Sequence, residues 1–392
     1  MHLIRLLTLL ICSLVLLQPT PANDENRGQI RFATFNIAMG LESNNELYQR
    51  LQSGEDEALK KVAAVIQSVR PDVLLLNEFD WYDFDSTLLF IKNYLNNSQY
   101  GNDAISYAHS LSGAVNTGTN SGLDLNNNGV LAEPADAWGF GKFPGQYGMT
   151  VLSRFPLKLE RNFRLFKWSD MPDALVPRNP DGSNWYPEKI WKQLRLSSKS
   201  HWDIAVTTDE EKIHFLVSHP TPPVFDGPED RNGARNHDEI RLWADYIHPD
   251  RSAYIYDDSG LTGGLPAGSH FVIAGDLNAD PVDGDSSAGA IAQLLEHPMV
   301  DASCVPTSKG GQEASAVQAG KNLWHKGDPA ADTGDFNDTY TGNMRIDYVL
   351  PSATMNVLGC GVFWPAAGQP GHELTDVSDH HLVWVDIKFR TR

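Results

Sequence analysis

The sequence predicts an α+β domain dominated by short strands, and three observations carry that expectation. A strand, a helix and a second strand follow one another after the N-terminal segment. The remainder is loop-rich and punctuated by short, apolar, β-rich runs with few helices between them. The composition is 41% hydrophobic with ordinary Gly and Pro content over 392 residues, enough for a large core. Sheet-rich folds often use roughly 250 residues or more as one unit. With no internal repeat and no evident linker, one domain over 23–392 is expected.

Residues 1–22 read as a signal peptide: Arg5 in a short basic start, an apolar run over 6–17, then small residues at Thr20 and Ala22. The apolar run falls short of the roughly twenty residues of a spanning helix. A secreted or periplasmic protein with no stable membrane insertion is therefore expected. Residues 29–37 alternate as a strand, 45–69 have the spacing of an amphipathic helix ended by Pro71, and 72–76 form a buried strand. Further strands are expected around 150–152, 212–218, 270–274, 345–350 and 381–389. Two long inserts, about 103–147 and 282–342, interrupt the pattern, and loops of that length are commonly functional.

The formal net charge of -19 works against tight nonspecific binding of polyanions, which relies on a basic surface. An enzyme needs only a local positive site, which a bound metal can supply. Beyond the signal only Cys304 and Cys360 remain, either a disulfide or two buried thiols.

Polar residues recur directly after apolar runs, as a site on the rim of a β-sandwich requires. The places are Thr34-Phe35-Asn36, Leu76-Asn77-Glu78, Ser218-His219-Pro220, Gly275-Asp276-Leu277-Asn278, Arg345-Ile346-Asp347 and Ser378-Asp379-His380. Each alone has a plain explanation as a cap or Asx turn. Six in one chain point to a shared site.

This order resembles the endonuclease/exonuclease/phosphatase superfamily over roughly residues 29 to 390. The Gly275–Asn278 and Ser378–His380 motifs are its most specific parts, and 147–156 is similar to the family's Gly-x-x-Ile-Leu-Ser-Arg strand. The resemblance implies a four-layer α/β/β/α sandwich of two mixed β-sheets flanked by helices. It also implies a divalent-metal-dependent phosphoesterase acting on phosphodiester (nuclease-like) or phosphomonoester bonds. Glu78, with Asn36 and Asp379, would hold Mg²⁺, or Mn²⁺, as hard oxygen-rich ligands do. His380 would be the base that activates water, oriented by Asp347 or Asp379, which the sequence leaves open. Asp276 would position that water, while Asn278 and His219 donate to phosphate oxygens.

Outside this set, Asp124, Asn126 and Asn128 followed by Gly129 match the first half of a calcium loop, closed by Glu133 or Asp136, or else form an Asn/Gly turn. Arg231, Arg235 and His237 form a polar-dense segment that could bind substrate phosphate or simply cap a helix. The expected partner is a phosphate ester, nucleic acid among the candidates, for a monomeric enzyme. A sphingomyelinase-like lipid phosphodiesterase is the alternative, although 140–143 is too short for an apolar membrane-contacting hairpin and 185–191 interleaves its aromatics with charge. A catalytically silent binding module would lack a ligand or base, and every expected position is filled. No His-Glu-x-x-His helix is present to support a zinc hydrolase.

Overall fold

The computed structural model describes residues 28–82 and 84–390, so the expected signal segment lies outside the described residues. Thirteen strands run in chain order: β1 Ile30–Met39, β2 Val73–Phe79, β3 His109–Ser112, β4 Met149–Ser153, β5 Leu157–Asn162, β6 His201–Thr207, β7 Lys212–Ser218, β8 His270–Asp276, β9 Gly334–Asp335, β10 Asn343–Met344, β11 Asp347–Pro351, β12 Met355–Val362 and β13 Val383–Phe389. They form a six-stranded sheet of order β12-β13-β1-β2-β4-β3, a five-stranded sheet of order β11-β8-β7-β6-β5, and a small β10-β9 pair. Each large sheet contains one parallel pair, β1 with β2 and β7 with β8, in an otherwise antiparallel ladder. Both are therefore mixed.

Strand alternation assembles the layers. Phe32 and Val73 face inward and meet Ile204, Phe215 and Val272 of the other sheet in the inter-sheet core. Ala33, Phe35 and Leu74 point the opposite way, against helices α1 (Glu46–Ser53) and α2 (Glu57–Val69). The outer face of the second sheet, through Leu216, Phe271 and Ile273, packs against Ile240 and Trp243 of α5 (Arg231–Ile247). Because each strand has period two, both faces of both sheets are covered and the α/β/β/α order follows. Shorter helices complete the chain: α3 Phe84–Phe90, α4 Glu188–Trp191, α6 Ala292–Leu295 and α7 Lys309–Gln318.

Three local expectations are corrected. The helix expected over 45–69 is two helices, because Gly54 takes a left-handed φ of 66° and Asp56 then caps α2 by accepting from Leu59 N at 3.0 Å. The first insert is not all loop: its β3 pairs with β4 as the edge of the large sheet. Strands β5, β6 and β12 were not anticipated, since polar residues such as Lys158, Glu160 and Asn356 break their apolar pattern. Cys304 and Cys360 are joined in a disulfide that fastens the second insert to β12. Among the described residues no helix is long and apolar enough to cross a membrane.

Candidate active site

The site forms where the strand ends of the two sheets converge. Asn36 in β1 stands in register with Asn77 of β2, one residue before Glu78. β7 delivers His219 beside the end of its parallel neighbour β8, and Asp276 of β8 pairs in register with Asp347 of β11. The Ser378-Asp379-His380 turn enters β13 next to β1, where Ser378 Oγ donates to the Asn36 carbonyl at 2.8 Å. Ala38, Glu78 and Asn278 all adopt left-handed backbone, with φ of 51°, 57° and 52°. Such conformations cost about 1–3 kcal/mol for residues other than Gly, less for Asn, and cluster where a side chain must be aimed.

Asp276 Oδ2 is the hub. Asn36 Nδ2 donates to it at 3.0 Å, His219 Nε2 lies at 3.4 Å and His380 Nε2 at 3.7 Å. His380 Nδ1 pairs with Asp347 Oδ2 at 2.9 Å, and Thr333 Oγ1 donates to that same oxygen at 2.8 Å. Of the two candidate carboxylates, Asp347 is the one hydrogen-bonded to His380. Asp379 is 53% exposed, and its nearest oxygen is 4.0 Å from the far nitrogen of His380. Asp276, Asp347 and His380 form the one tight buried group of potential metal-binding side chains among the described residues.

Electrostatics separates these groups. Burial works against protonation of His380, but Asp347 and Asp276 outweigh it and raise its pKa well above the ordinary histidine value. Burial alone would raise Asp276, yet His380, His219 and the Asn36 bond hold it well below the usual carboxylate range. Asp347 is pushed up by burial, and His380 only partly offsets that. His219 is lowered by burial and then by the cation of Lys199, so it stays neutral. Its Nδ1 is buried with no partner among the described residues.

Glu78 is half-buried and, among the described residues, makes no side-chain hydrogen bond or ion pair, while its charge acts on His219, Lys199 and Tyr147. An unspent carboxylate whose charge reaches these buried groups fits a hard divalent cation. Asn36 does not yet point its oxygen there, because Oδ1 accepts from Ala38 N at 3.1 Å. Among the described residues no side-chain hydrogen bond or ion pair joins the expected trio of Glu78, Asn36 and Asp379. Asn278 follows Asp276 by two residues, with Nδ2 on the Pro220 carbonyl at 3.1 Å.

Several residues at the site were missed. Lys199, just ahead of β6, is buried beside Glu239, Glu78 and Asp276, and its Nζ has one long hydrogen bond, 3.4 Å to the Pro220 carbonyl. Burial lowers its pKa. It sits in a serine-rich run with no local motif to mark it. Asn77 braces the hub, its Oδ1 accepting from Asp276 N at 3.2 Å and Thr34 Oγ1 at 3.1 Å. Asn236 of α5 donates to the Thr221 and Leu277 carbonyls at 2.8 and 2.9 Å, clamping the His219 loop to the Asp276 loop. His381 is packing: it stacks on Trp364 at 3.7 Å, and burial keeps it neutral with a pKa of about 3.

The expected phosphate binders are otherwise engaged. Arg235 donates to the carbonyls of Leu196, Trp138 and Arg195 at 2.9, 2.6 and 3.0 Å. Arg231 is paired with Glu229, and His237 Nδ1 meets Asp238 at 2.9 Å. Arg235 thus ties α5 to the segments at Trp138 and 195–196, while Arg231 and His237 pair with acidic neighbours at and within the start of the helix. In the Asp124 loop, Asp124 takes the backbone N–H groups of Asn128 and Gly129 at 3.1 and 2.9 Å. Glu133 closes the ring on Asn128 at 2.6 Å and Asn126 at 3.5 Å, whereas Asp136 turns away to Leu125 N at 2.9 Å.

The model of the Endonuclease/Exonuclease/phosphatase family matches residues 33–380. No curated protein matches the chain. Similar solved structures include an endonuclease/exonuclease/phosphatase from Beutenbergia cavernae DSM 12333, 18% identical, covering 93% of this chain and 72% of that one, with a TM-score of 0.49. A double mutant of beta toxin from Staphylococcus aureus with bound magnesium ions is 12% identical, covering 92% and 100%, with a TM-score of 0.46. D. rerio TDP2 complexed with a single-strand DNA product is 11% identical, covering 92% and 99%, with a TM-score of 0.43. With the family model spanning every strand end described above, the chain belongs to the endonuclease/exonuclease/phosphatase family of metal-dependent phosphoric ester hydrolases.

Proposed function

We propose that this protein is an exported phosphoesterase that cleaves phosphodiester or phosphomonoester bonds by in-line attack of a water activated at His380. The observation that carries the reading is the facing pair of His380 Nε2 and Asp276 Oδ2, 3.7 Å apart. A water at an ordinary hydrogen-bond distance of ~2.8 Å can touch both. Asp276, held ionised, orients that water, and Nε2 of neutral His380 takes its proton while Nδ1–H stays on Asp347. Because two carboxylates favour the imidazolium, the dyad is a strong proton acceptor once it is neutral. His219, Asn278 and Lys199 then face the phosphoryl oxygens, where preorganised donors act most strongly.

Glu78, assisted by Asn36 and Asp379, would hold Mg²⁺ or Mn²⁺, whose positive charge offsets charge developing on the phosphoryl group. The Asp124 loop, closed by Glu133, would hold a structural Ca²⁺. Export rests on the N-terminal sequence, and a stabilising disulfide is in keeping with it.

The test is hydrolysis of bis-p-nitrophenyl phosphate, p-nitrophenyl phosphate, plasmid DNA and sphingomyelin with Mg²⁺, Mn²⁺, Ca²⁺ or EDTA. Metal-dependent turnover lost in His380→Ala and Glu78→Ala supports the reading. Turnover that survives EDTA or His380→Ala rejects it.

A further inference from the structure

The three donors assigned to the phosphoryl oxygens, Lys199, His219 and Asn278, meet at one peptide unit. Lys199 Nζ and Asn278 Nδ2 both donate to the Pro220 carbonyl, at 3.4 and 3.1 Å, and His219 directly precedes Pro220. The ammonium carries three protons and the amide two, so each keeps at least one for a further acceptor. The direction of the Pro220 carbonyl therefore sets where two of the donors stand.

That direction is fixed from α5. Thr221 N belongs to the same planar unit as the Pro220 carbonyl, and it donates to Glu239 Oε2 at 2.7 Å. Asn236, one turn earlier on the helix, donates to the Thr221 carbonyl at 2.8 Å and to the carbonyls of Leu277 and Asn278 at 2.9 and 3.4 Å. Glu239 Oε1 accepts from Ser198 N at 2.6 Å and Ser198 Oγ at 3.0 Å, next to Lys199. Trp243 Nε1 donates to Ser218 Oγ at 3.0 Å, next to His219. Each of the three donors thus has a chain neighbour bonded to one helix. Asn236 and Glu239 are fully buried. A buried carboxylate is costly unless its oxygens are bonded, and both oxygens of Glu239 are. Ile240 and Trp243 already pack α5 against the sheet, so the polar pair adds direction rather than adhesion.

We propose that Asn236 and Glu239 are positioning residues that hold Lys199, His219 and Asn278 as one phosphoryl-binding unit, gripping Thr221 by both its N–H and its carbonyl. The identity of the ligand rests on the phosphoesterase reading above. Asn236 Nδ2 and both Glu239 oxygens are spent on the protein itself, so the pair acts through the donors. Donors stabilise developing charge when they are aimed beforehand, and a displacement of ~1 Å costs on the order of a hundredfold in rate.

The experiment compares wild type with Asn236→Leu and Glu239→Gln, alone and in a Lys199→Met background. Leucine keeps the volume but donates nothing. Glutamine turns an N–H toward a backbone N–H that needs an acceptor. Hydrolysis of bis-p-nitrophenyl phosphate and calorimetric binding of inorganic phosphate are both expressed per folded molecule. Each single variant should lower kcat/KM roughly 10–100-fold and weaken phosphate binding at least tenfold. In the Lys199→Met background the same changes should cost less than about threefold more, because residues that act as a unit are not additive. Wild-type kcat/KM and phosphate affinity in the variants, or losses that multiply fully in the Lys199→Met background, would overturn the proposal. The two substitutions release Thr221 from opposite ends, so either one that folds decides it. Wild type that binds phosphate but cleaves no ester would refute the phosphoesterase reading, and phosphate affinity in the variants would still judge the positioning; wild type that does neither overturns both.

Discussion

His380 Nδ1 and Asp347 Oδ2, 2.9 Å apart, join the two sheets of the sandwich: His380 leads into β13 of one sheet and Asp347 opens β11 of the other. The proposed base is thus held by a bond that exists only when the sheets are packed. Asp347→Asn keeps the volume but removes the charge and can turn an amide N–H toward Nδ1, so the Nδ1–H tautomer is no longer enforced. We expect kcat to fall by roughly 10²–10⁴, as for other carboxylate-oriented histidines, with KM little changed. Steady-state kinetics on a soluble ester checks this; a loss confined to KM would mean that Asp347 binds substrate instead.

Lys199 separates a functional from a structural cation. Its ammonium is buried with one long hydrogen bond, an arrangement that costs desolvation without full repayment. Lys199→Met should therefore leave thermal stability unchanged or raised, while activity falls roughly 10–100-fold through loss of a charge-assisted donor to phosphate. If Lys199→Met instead melts markedly lower with turnover intact, the lysine is a structural strut.

Much of this site was legible because catalytic strand ends have a local signature. Asp276, Asp347, His219 and His380 each follow or precede an apolar run, and their order along the chain is a family trait. The bond partner of His380 was not legible: Asp379 is adjacent in sequence and Asp347 is 33 residues away, so only the packing of β11 against β13 decides it. Lys199, Thr333 and Asn236 escaped for the same reason, since each acts across elements and none sits in a motif. For Arg231 and Arg235 the sequence left two readings open, because a cation-rich helix start looks alike whether it binds phosphate or bonds carbonyls and carboxylates.

Asp332 links stability to pH. It is buried, and that burial, with Asp280, Asp283 and Asp328 nearby, pushes its pKa up to about 8. An unfolded Asp titrates near ~3.9, so between about pH 4 and 8 the folded state holds the extra proton and stability declines as pH rises. Asp332→Asn removes that penalty. The variant's Tm should equal wild type near pH 4 and exceed it by a margin that widens up to pH 8 and then levels off. A constant offset across the range would show that the carboxyl is ionised in the fold.

Calcium should act at the Asp124 loop independently of catalysis. In a Glu78→Ala background, Ca²⁺ should raise the Tm, and the further change Asp124→Ala should abolish the effect. A ligand at a hundred times its Kd stabilises by about 2.7 kcal/mol, well within reach of calorimetry. Glu133→Gln should weaken the response and Asp136→Asn should do so less, because Glu133 closes the ring while Asp136 is engaged with Leu125. Equal effects at 133 and 136 would contradict that arrangement.

The Cys304–Cys360 bond spans 56 residues and ties the second insert, with its Gly334–His380 bridge, to β12. Closing a loop of that length in the unfolded chain is worth about 4 kcal/mol in the chain-entropy model. The Cys304→Ser/Cys360→Ser variant should lose about 2–4 kcal/mol in urea unfolding. Wild type in excess reductant should match it. The insert carries Thr333, which bonds Asp347 at 2.8 Å, so loosening it should also lower kcat before global unfolding. Activity that tracks only the folded fraction would show that the β9 strand holds Thr333 in place without the disulfide.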